Sequence, residues 1–430
     1  MAKKHIAALG IIAVALAGCA SGPADGGAEG EITGEITVLT NRTDIVDTVF
    51  AEYKDQFEAE YPGTTVTFES ITDYEGEISI RLNTSDYGDV LLIPNSVTRD
   101  QLPQFFEPLG SVDELSDTYR FLDEQSFDGE AYGVAITGNA QGIVYNKAVW
   151  EEAGITETPE TPEQFIEALE AIEENTEATP YYTNYSDGWP LTQWEGNRGM
   201  LGNPDEGIEL SETDDPWAEG EYHELTDGLL FDIVAAGLSE EDPLTTNWEE
   251  SKTLLGSGEI GAMALGSWAI TQMREAAEAA GGSADDIGYM PYPFAVDGTF
   301  YSTIGGDYKN GINVNSDNKA TARAWIEWFA AESGYAASQG GLSPLVDGPS
   351  PDTLGDFDAL GVEYVEMTPP AAGNESIESD IYNTAEIDLY GPIYRQAMID
   401  IARGAADGDK ESYFEQLNQR WADARAQVTS

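Results

Sequence analysis

The residues in this chain best suited to chemistry are aromatic, and they fall in stretches that read as loops. Flat indole and phenol rings stack on the C–H faces of sugars, while amide, carboxylate and guanidinium groups bond sugar hydroxyls. A concave pocket that offers both kinds of group holds a neutral polar ligand. For any one ring, packing in the core or at a rim is an equally good interpretation. The rings concerned are Tyr185, Trp189, Trp194, Trp268 and Tyr308.

Signatures of histidine-based and nucleotide-based chemistry are weak. His5 and His223 are the only histidines, which leaves almost nothing for a histidine zinc site or a Ser-His-Asp triad. The stretch from Gly256 to Gly261 matches GxGxxG, but a dinucleotide-binding loop follows a strand and opens a helix. Here a predicted helix precedes the glycines and an apolar strand follows them, so we interpret them as turn residues.

Acidic motifs are no more informative. The run Asp407, Asp409 and Glu411 lacks the central glycine of a calcium loop, with Ser412 standing there instead. With 80 Asp and Glu residues, a carboxylate pair suited to glycoside hydrolysis can arise anywhere by chance. We therefore expect no catalytic residue, no metal and no cofactor. A surface-attached glycoside hydrolase is kept as the enzymatic alternative.

The charge of the chain is extreme and restricts its partners. The 80 acidic residues face 19 Lys and Arg, for a net charge of -61. Nucleic acid is excluded, because neutralising phosphates needs basic patches that this sequence lacks. The acids are spread along the chain, as on the solvated surface of a salt-adapted protein, and their mutual repulsion should weaken the compact state at low salt.

The N-terminus reads as an export signal that ends in a lipid attachment site. Lys3 and Lys4 precede an apolar run from Ile6 to Ala17, which is too short to span a bilayer, since spanning needs about 20 residues. The sequence Leu16-Ala17-Gly18-Cys19 resembles a lipobox, and Cys19 is the only cysteine. We predict a signal peptide at 1–18, lipidation of Cys19 and a flexible acidic tether at 19–35.

Strand and helix patterns alternate through the rest of the chain, which predicts an α/β fold with mostly parallel sheets. A strand is predicted at Glu35–Thr40, and the wholly apolar run Asp89–Ile93 is typical of a strand buried on both faces. Thr161, Pro162 and Gln164 have the spacing of a helix start with a capping box. Further helices are predicted at Leu225–Ala236, Trp248–Leu255, Ala320–Glu332, Ile393–Arg403 and Ser412–Val428.

Four segments, in order, resemble the extracellular solute-binding proteins of carbohydrate ABC importers, the maltose-binding-like group (family 1). Each motif is degenerate alone, but together they span about Ile36 to Trp421 and follow a lipobox. The segments are Phe127-Asp128-Gly129-Glu130-Ala131-Tyr132-Gly133-Val134 with Gly142-Ile143-Val144-Tyr145-Asn146-Lys147; Glu152-Ala153-Gly154-Ile155 with Thr161-Pro162-Glu163-Gln164-Phe165; Gly258-Glu259-Ile260-Gly261-Ala262-Met263 with Gly266-Ser267-Trp268; and Gly305-Gly306-Asp307 with Ile312-Asn313.

This resemblance implies the two-lobed, type II periplasmic-binding-protein-like fold, whose lobes close on one ligand about hinge strands. It places residues 36–135 and 309–350 in the first lobe, and 136–308 and 351–430 in the second. It implies a monomer on the outer face of the cytoplasmic membrane that binds a carbohydrate and delivers it to ABC permease subunits. The same fold could instead bind a polyamine or a metal chelate. We interpret the pair Tyr181-Tyr182, which is similar to that of iron-binding relatives, as packing.

The resemblance also implies ligand-binding positions. Trp268, in the Gly-Ser-Trp motif, matches a family aromatic that stacks a sugar ring. The other positions follow strands, lie on the hinge segments or offer aromatic platforms in the second lobe. They are Asn41, Arg42, Asn95, Ser96, Asn139, Tyr185, Trp189, Gly306, Asp307 and Tyr390. Ala135-Ile136-Thr137 and Pro162-Glu163 depart from the family pattern, so the identity of the sugar is not inherited.

Overall fold

The computed structural model describes residues 30–371 and 373–430. The predicted signal peptide, Cys19 and most of the tether lie outside these residues. None of the helices in the described residues is both long and apolar enough to cross a bilayer. The strands are β1 Gly34–Thr40, β2 Thr64–Ser70, β3 Val90–Leu92, β4 Gly110–Ser111, β5 Ser126–Phe127, β6 Glu130–Ala131, β7 Gly133–Ala135, β8 Gly138–Asn146, β9 Thr179–Tyr181, β10 Ile260–Gly266, β11 Ile287–Met290, β12 Tyr301–Gly306, β13 Lys309–Ile312 and β14 Glu363–Val365.

Helices alternate with these strands as the sequence predicts. The α-helices are α1 Val49–Glu60, α2 Tyr74–Arg81, α3 Leu102–Phe105, α4 Val112–Leu115, α5 Lys147–Glu152, α6 Pro162–Asn175, α7 Glu206–Glu212, α8 Tyr222–Ala235, α9 Trp248–Ser257, α10 Ala269–Ala279, α11 Lys319–Ala331, α12 Tyr335–Ser338, α13 Gly355–Leu360, α14 Ile377–Ala385, α15 Ile393–Ala402 and α16 Lys410–Val428. The 3₁₀ helices are Arg99–Gln101, Leu122–Gln125, Trp189–Glu195, Arg198–Leu201, Pro243–Thr245, Ala284–Asp286 and Asp352–Leu354.

Two main sheets define two lobes. The sheet of the first lobe has the order β2-β1-β3-β13-β7, and that of the second lobe has the order β14-β12-β8-β10-β9 with β11 paired to β8. A small sheet, β4-β6-β5, accompanies them. The apolar run predicted as a buried strand is β3, all of whose residues are buried.

Both main sheets are mixed, whereas the sequence predicts mostly parallel ones. Strands β1, β2 and β3 pair in parallel, but β13 is antiparallel to β3 and β7. In the second lobe, β8 is antiparallel to β10, β11 and β12. The reason is connectivity: β8 carries the chain away from the first lobe and β12 brings it back, so the two neighbours must run in opposite directions.

The chain passes between the lobes at two short links and again after α12. Ile136 and Thr137 join β7 to β8, and Asp307 and Tyr308 join β12 to β13. At the third passage, Leu342 exchanges backbone hydrogen bonds of 2.8 Å with Gly138. A Cβ at Gly138 would lie 2.5 Å from the Phe121 ring, so glycine is required where these segments approach.

Local signals in the sequence account for several helix boundaries. The Thr161 hydroxyl accepts a hydrogen bond from the backbone N–H of Gln164, and the Gln164 side chain accepts one from the N–H of Glu160. Gly258, with φ of +81°, ends α9 before β10. The predicted order of helix, turn and strand is confirmed, but of the three glycines interpreted as turn residues only Gly258 is one, since Gly256 lies in the last turn of α9 and Gly261 lies in β10. Helix α10 was not predicted.

A buried network of charges ties the second lobe together. The guanidinium of Arg395 donates to the carboxylates of Asp227 and Glu195, each at 2.9 Å, and all three side chains are fully buried. His223 lies beside this network and stacks on Trp217, with ring centroids 4.5 Å apart. Burial lowers the pKa of His223 to about 3, so the imidazole is neutral.

Candidate ligand-binding cleft

A cleft of about 860 Å³ lies where the carboxyl ends of strands from both lobes meet. Strand β1 of the first lobe and β10 of the second end at it, and both short links between the lobes line it. In open α/β sheets, ligands bind outside the carboxyl ends of the strands. This volume falls within the usual range for small-molecule sites, about 300–1,000 Å³.

The first-lobe wall is built by the loop after β1. The guanidinium of Arg42 donates to the Asp44 carboxylate at 2.7 and 2.9 Å, to the Tyr335 hydroxyl at 2.9 Å and to the Gln339 side chain at 2.6 Å. The hydrogen bond from Arg42 holds the pKa of Asp44 below its usual value. These contacts fix the guanidinium in one position against the two ends of α12.

Two asparagines beside the links between the lobes supply unpaired acceptors. The Asn139 side-chain N–H donates to Asp307 at 3.3 Å, and the other Asp307 oxygen accepts from the N–H of Tyr308 at 2.7 Å. The side-chain oxygens of Asn41 and Asn139 are buried, and no described residue donates to them. Because a buried acceptor without a donor costs about 1–3 kcal/mol, these two atoms favour a ligand that brings hydroxyl donors.

An aromatic cluster supports the second-lobe wall. Trp268, which immediately precedes α10, lines the cleft. Its ring centroid lies 5.8 Å from that of Trp189 and 5.6 Å from that of Trp248, and the latter two rings are 4.9 Å apart. Asp187 accepts a hydrogen bond from the backbone N–H of Trp248, which fixes the start of α9 behind the cluster. The result is a cluster of three half-buried indoles, of which Trp268 lines the cleft.

Helices α9 and α10 complete this wall, and sequence reasoning missed their contribution. The α10 residues that line the cleft recur every three or four positions after Trp268, and three α9 residues lie beside them. They are Thr271, Gln272, Glu275, Ala276 and Ala279 of α10, and Glu249, Lys252 and Thr253 of α9. The signal was present as a polar and small-residue stripe at helical spacing, opposite the buried Ile270, Met273 and Ala277.

The cleft therefore gathers five of the sequence-predicted positions, namely Asn41, Arg42, Asn139, Trp268 and Asp307. Tyr308 also lines it. Trp189 lies behind Trp268. The backbone and side-chain N–H groups of Asn95 donate hydrogen bonds of 3.1 Å to the Glu75 carboxylate, which also accepts one of 2.7 Å from the Tyr308 hydroxyl.

The remaining predicted positions lie elsewhere, and their role in binding stays a prediction. Ser96 pairs with Ser79, and the Tyr185 hydroxyl donates to Asp400 at 3.0 Å. Gly306 and Tyr390 line a second cavity of about 870 Å³ beside β12 and β14. The contacts that these residues make with the surrounding elements, rather than their position along the chain, determine where they lie.

Two of the other aromatic residues are structural. Trp194 is buried and donates to the Tyr181 hydroxyl at 3.1 Å. Tyr181 is buried too, which agrees with its interpretation as packing.

The electrostatics of the cleft disfavour anions. Its two cations are paired, Arg42 with Asp44 and Lys252 with Glu249 at 2.7 Å. Glu275 and Asp307 add uncompensated negative charge. In the described part of the chain, no three His, Cys, Asp or Glu side chains are grouped so that they could hold a metal ion. The arrangement suits an uncharged polyhydroxyl ligand with an apolar face for Trp268.

Comparison with solved structures identifies close structural relatives. An ABC-transporter binding protein of Bifidobacterium animalis subsp. lactis, in complex with mannobiose, is 34% identical, with a TM-score of 0.83 over 92% of this chain and 95% of that one. A manno-oligosaccharide-specific solute-binding protein of the same organism, in complex with mannotriose, is 33% identical, with a TM-score of 0.82 over 92% and 95%. A chitin oligosaccharide binding protein, 19% identical with a TM-score of 0.69, covers 92% of this chain and 99% of its own, and shares the fold.

Sequence comparison points the same way. A binding protein of Brucella abortus is 25% identical over 253 residues, which are 53% of this chain and 56% of the relative, so the match spans just over half of that relative's length. The model of the bacterial extracellular solute-binding proteins matches residues 41–336, well over half of the chain. With its two lobes and the cleft between them, the chain belongs to the bacterial extracellular solute-binding protein family.

Proposed function

We propose that this protein captures a neutral oligosaccharide between its two lobes and delivers it, chemically unchanged, to the permease of an ABC importer. The observation that carries the proposal is the cleft itself, which is lined by the Trp268 indole and by Asn41 and Asn139, whose side-chain oxygens are buried without a donor among the described residues. An indole face complements the C–H face of a sugar ring, and free acceptors complement its hydroxyl groups. The solved relatives with mannobiose and mannotriose make manno-oligosaccharides the first ligands to test.

In this proposal, each residue that lines the cleft binds the part of the sugar that lies next to it. Trp268 stacks on one ring, while Asn41, Asn139, Arg42 and Asp307 bond hydroxyls. Residues 36–135 and 309–350 form one rigid half, and 136–308 and 351–430 form the other. A ligand that contacts both halves binds the closed state more tightly than the open state, and it thereby stabilises the closed state. The permease binds the protein in that closed state.

The proposal extends to anchoring. Cys19 carries two acyl chains, which hold the protein as a monomer on the outer face of the membrane, because one chain alone binds only marginally. In the full-length chain, Cys19→Ala should abolish incorporation of labelled palmitate and release the protein from membranes. Continued incorporation of the label by this variant would reject Cys19 as the site of lipid attachment and would leave the binding proposal unaffected.

The binding proposal is tested by calorimetric titration of the chain beginning after Cys19 with mannobiose, mannotriose and a panel of malto-, cello- and xylo-oligosaccharides. We expect saturable binding of one ligand per chain for at least one neutral series, and recovery of that ligand intact. Binding of spermidine or a ferric chelate with no sugar binding would overturn the proposal. Hydrolysis of the bound sugar would favour a glycoside hydrolase instead.

A further inference from the structure

Helix α10 presents an unusually long polar stripe to the cleft. Counting from Trp268, the residues that line the cleft extend through Gln272 and Glu275 to Ala279. The eleven steps from Trp268 to Ala279, at a rise of about 1.5 Å each, make this wall about 16 Å long, which is the length of roughly three linked pyranose rings. The wall therefore continues well past the single ring that Trp268 can cover.

The stripe is open rather than occupied by protein contacts. Among the described residues, none forms a hydrogen bond with the side chains of Gln272 or Glu275. Ala276 and Ala279 alternate with them, and their small side chains leave the groove clear. An amide, a carboxylate and methyl groups in a row form a surface that suits a chain of hydroxyls and C–H faces.

The opposite wall is formed by the first lobe. Arg42 and Asp44 face the stripe, together with Ser338 and Gln339 at the end of α12. Within the stripe, the Thr271 hydroxyl donates a hydrogen bond of 3.4 Å to the backbone oxygen of Gln339, so the lobes touch there. From this contact the groove runs outward along α10, and Glu275 and Ala279 are exposed at its far end. The cleft lining therefore reaches the solvent-exposed end of α10.

We propose that Gln272 and Glu275 form additional subsites for the third and later sugar units, so that the protein prefers oligosaccharides of three or more units over disaccharides. The proposal rests on the proposed function, since it names the chain length that the same cleft selects. The carboxylate of Glu275 accepts hydrogen bonds from hydroxyls, and the amide of Gln272 both donates and accepts.

The test compares affinities along one homologous series, mannobiose to mannotetraose, or whichever neutral series binds. In the wild-type chain, we expect the tetrasaccharide to bind at least about tenfold more tightly than the disaccharide. In the double variant Gln272→Ala/Glu275→Ala, the affinity for the disaccharide should change less than about twofold, while the advantage of the tetrasaccharide disappears. Glu278→Ala is the matched control, because this exposed glutamate on α10 lies outside the cleft lining.

The outcomes separate the two proposals. Equal wild-type affinity for two and four units overturns the extended subsites and leaves the binding function intact. Equal weakening of both ligands in the double variant, or the same effect in Glu278→Ala, also overturns them. Failure of every neutral oligosaccharide to bind overturns both proposals. Thermal unfolding followed by circular dichroism establishes that each variant is folded.

Discussion

Replacing Trp268 by alanine should weaken ligand binding strongly without unfolding the protein. The indole is half-buried against Trp189 and Trp248 and lines the cleft, so its exposed face can cover a sugar. Covering that face removes about 100 Å² of apolar surface from water, which contributes about 2.5 kcal/mol at about 25 cal/mol per Å². Because each 1.4 kcal/mol is a factor of about ten, the dissociation constant should rise about 60-fold.

The assay is calorimetric titration with the tightest neutral oligosaccharide, and the matched variant is Trp268→Phe. A phenyl ring keeps part of the platform, so its dissociation constant should rise only about tenfold. Both variants should melt within a few degrees of wild type, because Trp268 is partly exposed and its neighbours remain. Wild-type affinity in the alanine variant, or equal losses in both variants, would refute the stacking argument.

Three further predictions concern stability. Arg395→Met should lower the free energy of unfolding by about 3–5 kcal/mol in chemical denaturation, because Asp227 and Glu195 would remain buried without their partner; a loss under 1 kcal/mol would contradict this. Burial raises the pKa of Glu240 from 4.5 to about 7, although Thr183 donates to its carboxylate. Since the folded state favours protonation of Glu240, its contribution to stability should be full below about pH 4.5 and should fall by about 3 kcal/mol by about pH 8, so wild type minus Glu240→Gln should show this difference; identical pH profiles would reject it. The net charge of -61 predicts a melting temperature that rises with added KCl, and a flat response up to molar salt would show that surface repulsion is unimportant.

Much of the fold follows from local sequence signals. Thr161 starts a helix because its hydroxyl accepts a hydrogen bond from a backbone N–H of the first turn, and Pro162 fits the first helical position because it has no N–H that needs a partner. Gly258 ends another helix because glycine tolerates a positive φ. The direction of strands is not local. Nothing in the residues of β8 says that β10, β11 and β12 run against it, since that depends on how the chain returns to the first lobe.

The positions predicted for the site also differ in whether local sequence signals determine where they lie. Asn41, Arg42 and Trp268 come just after the ends of β1 and β10, which meet at the cleft, so their place along the chain agrees with the resemblance that assigned them. Tyr185 and Tyr390 were assigned by similarity alone. Their rings turn toward Asp400 and Arg198, partners far away in sequence that no pattern reveals. The polar stripe of α10 is visible in the sequence as polar and small residues at helical spacing, but the family motif ends at Trp268 and does not include it.

The central claim is that ligand is held by both lobes at once. Hydrogen exchange with and without a saturating neutral oligosaccharide tests it most directly. The account predicts simultaneous protection of residues 41–45 in the first lobe and 266–276 in the second. Protection confined to one lobe, or to the second cavity beside β12 and β14, would contradict it.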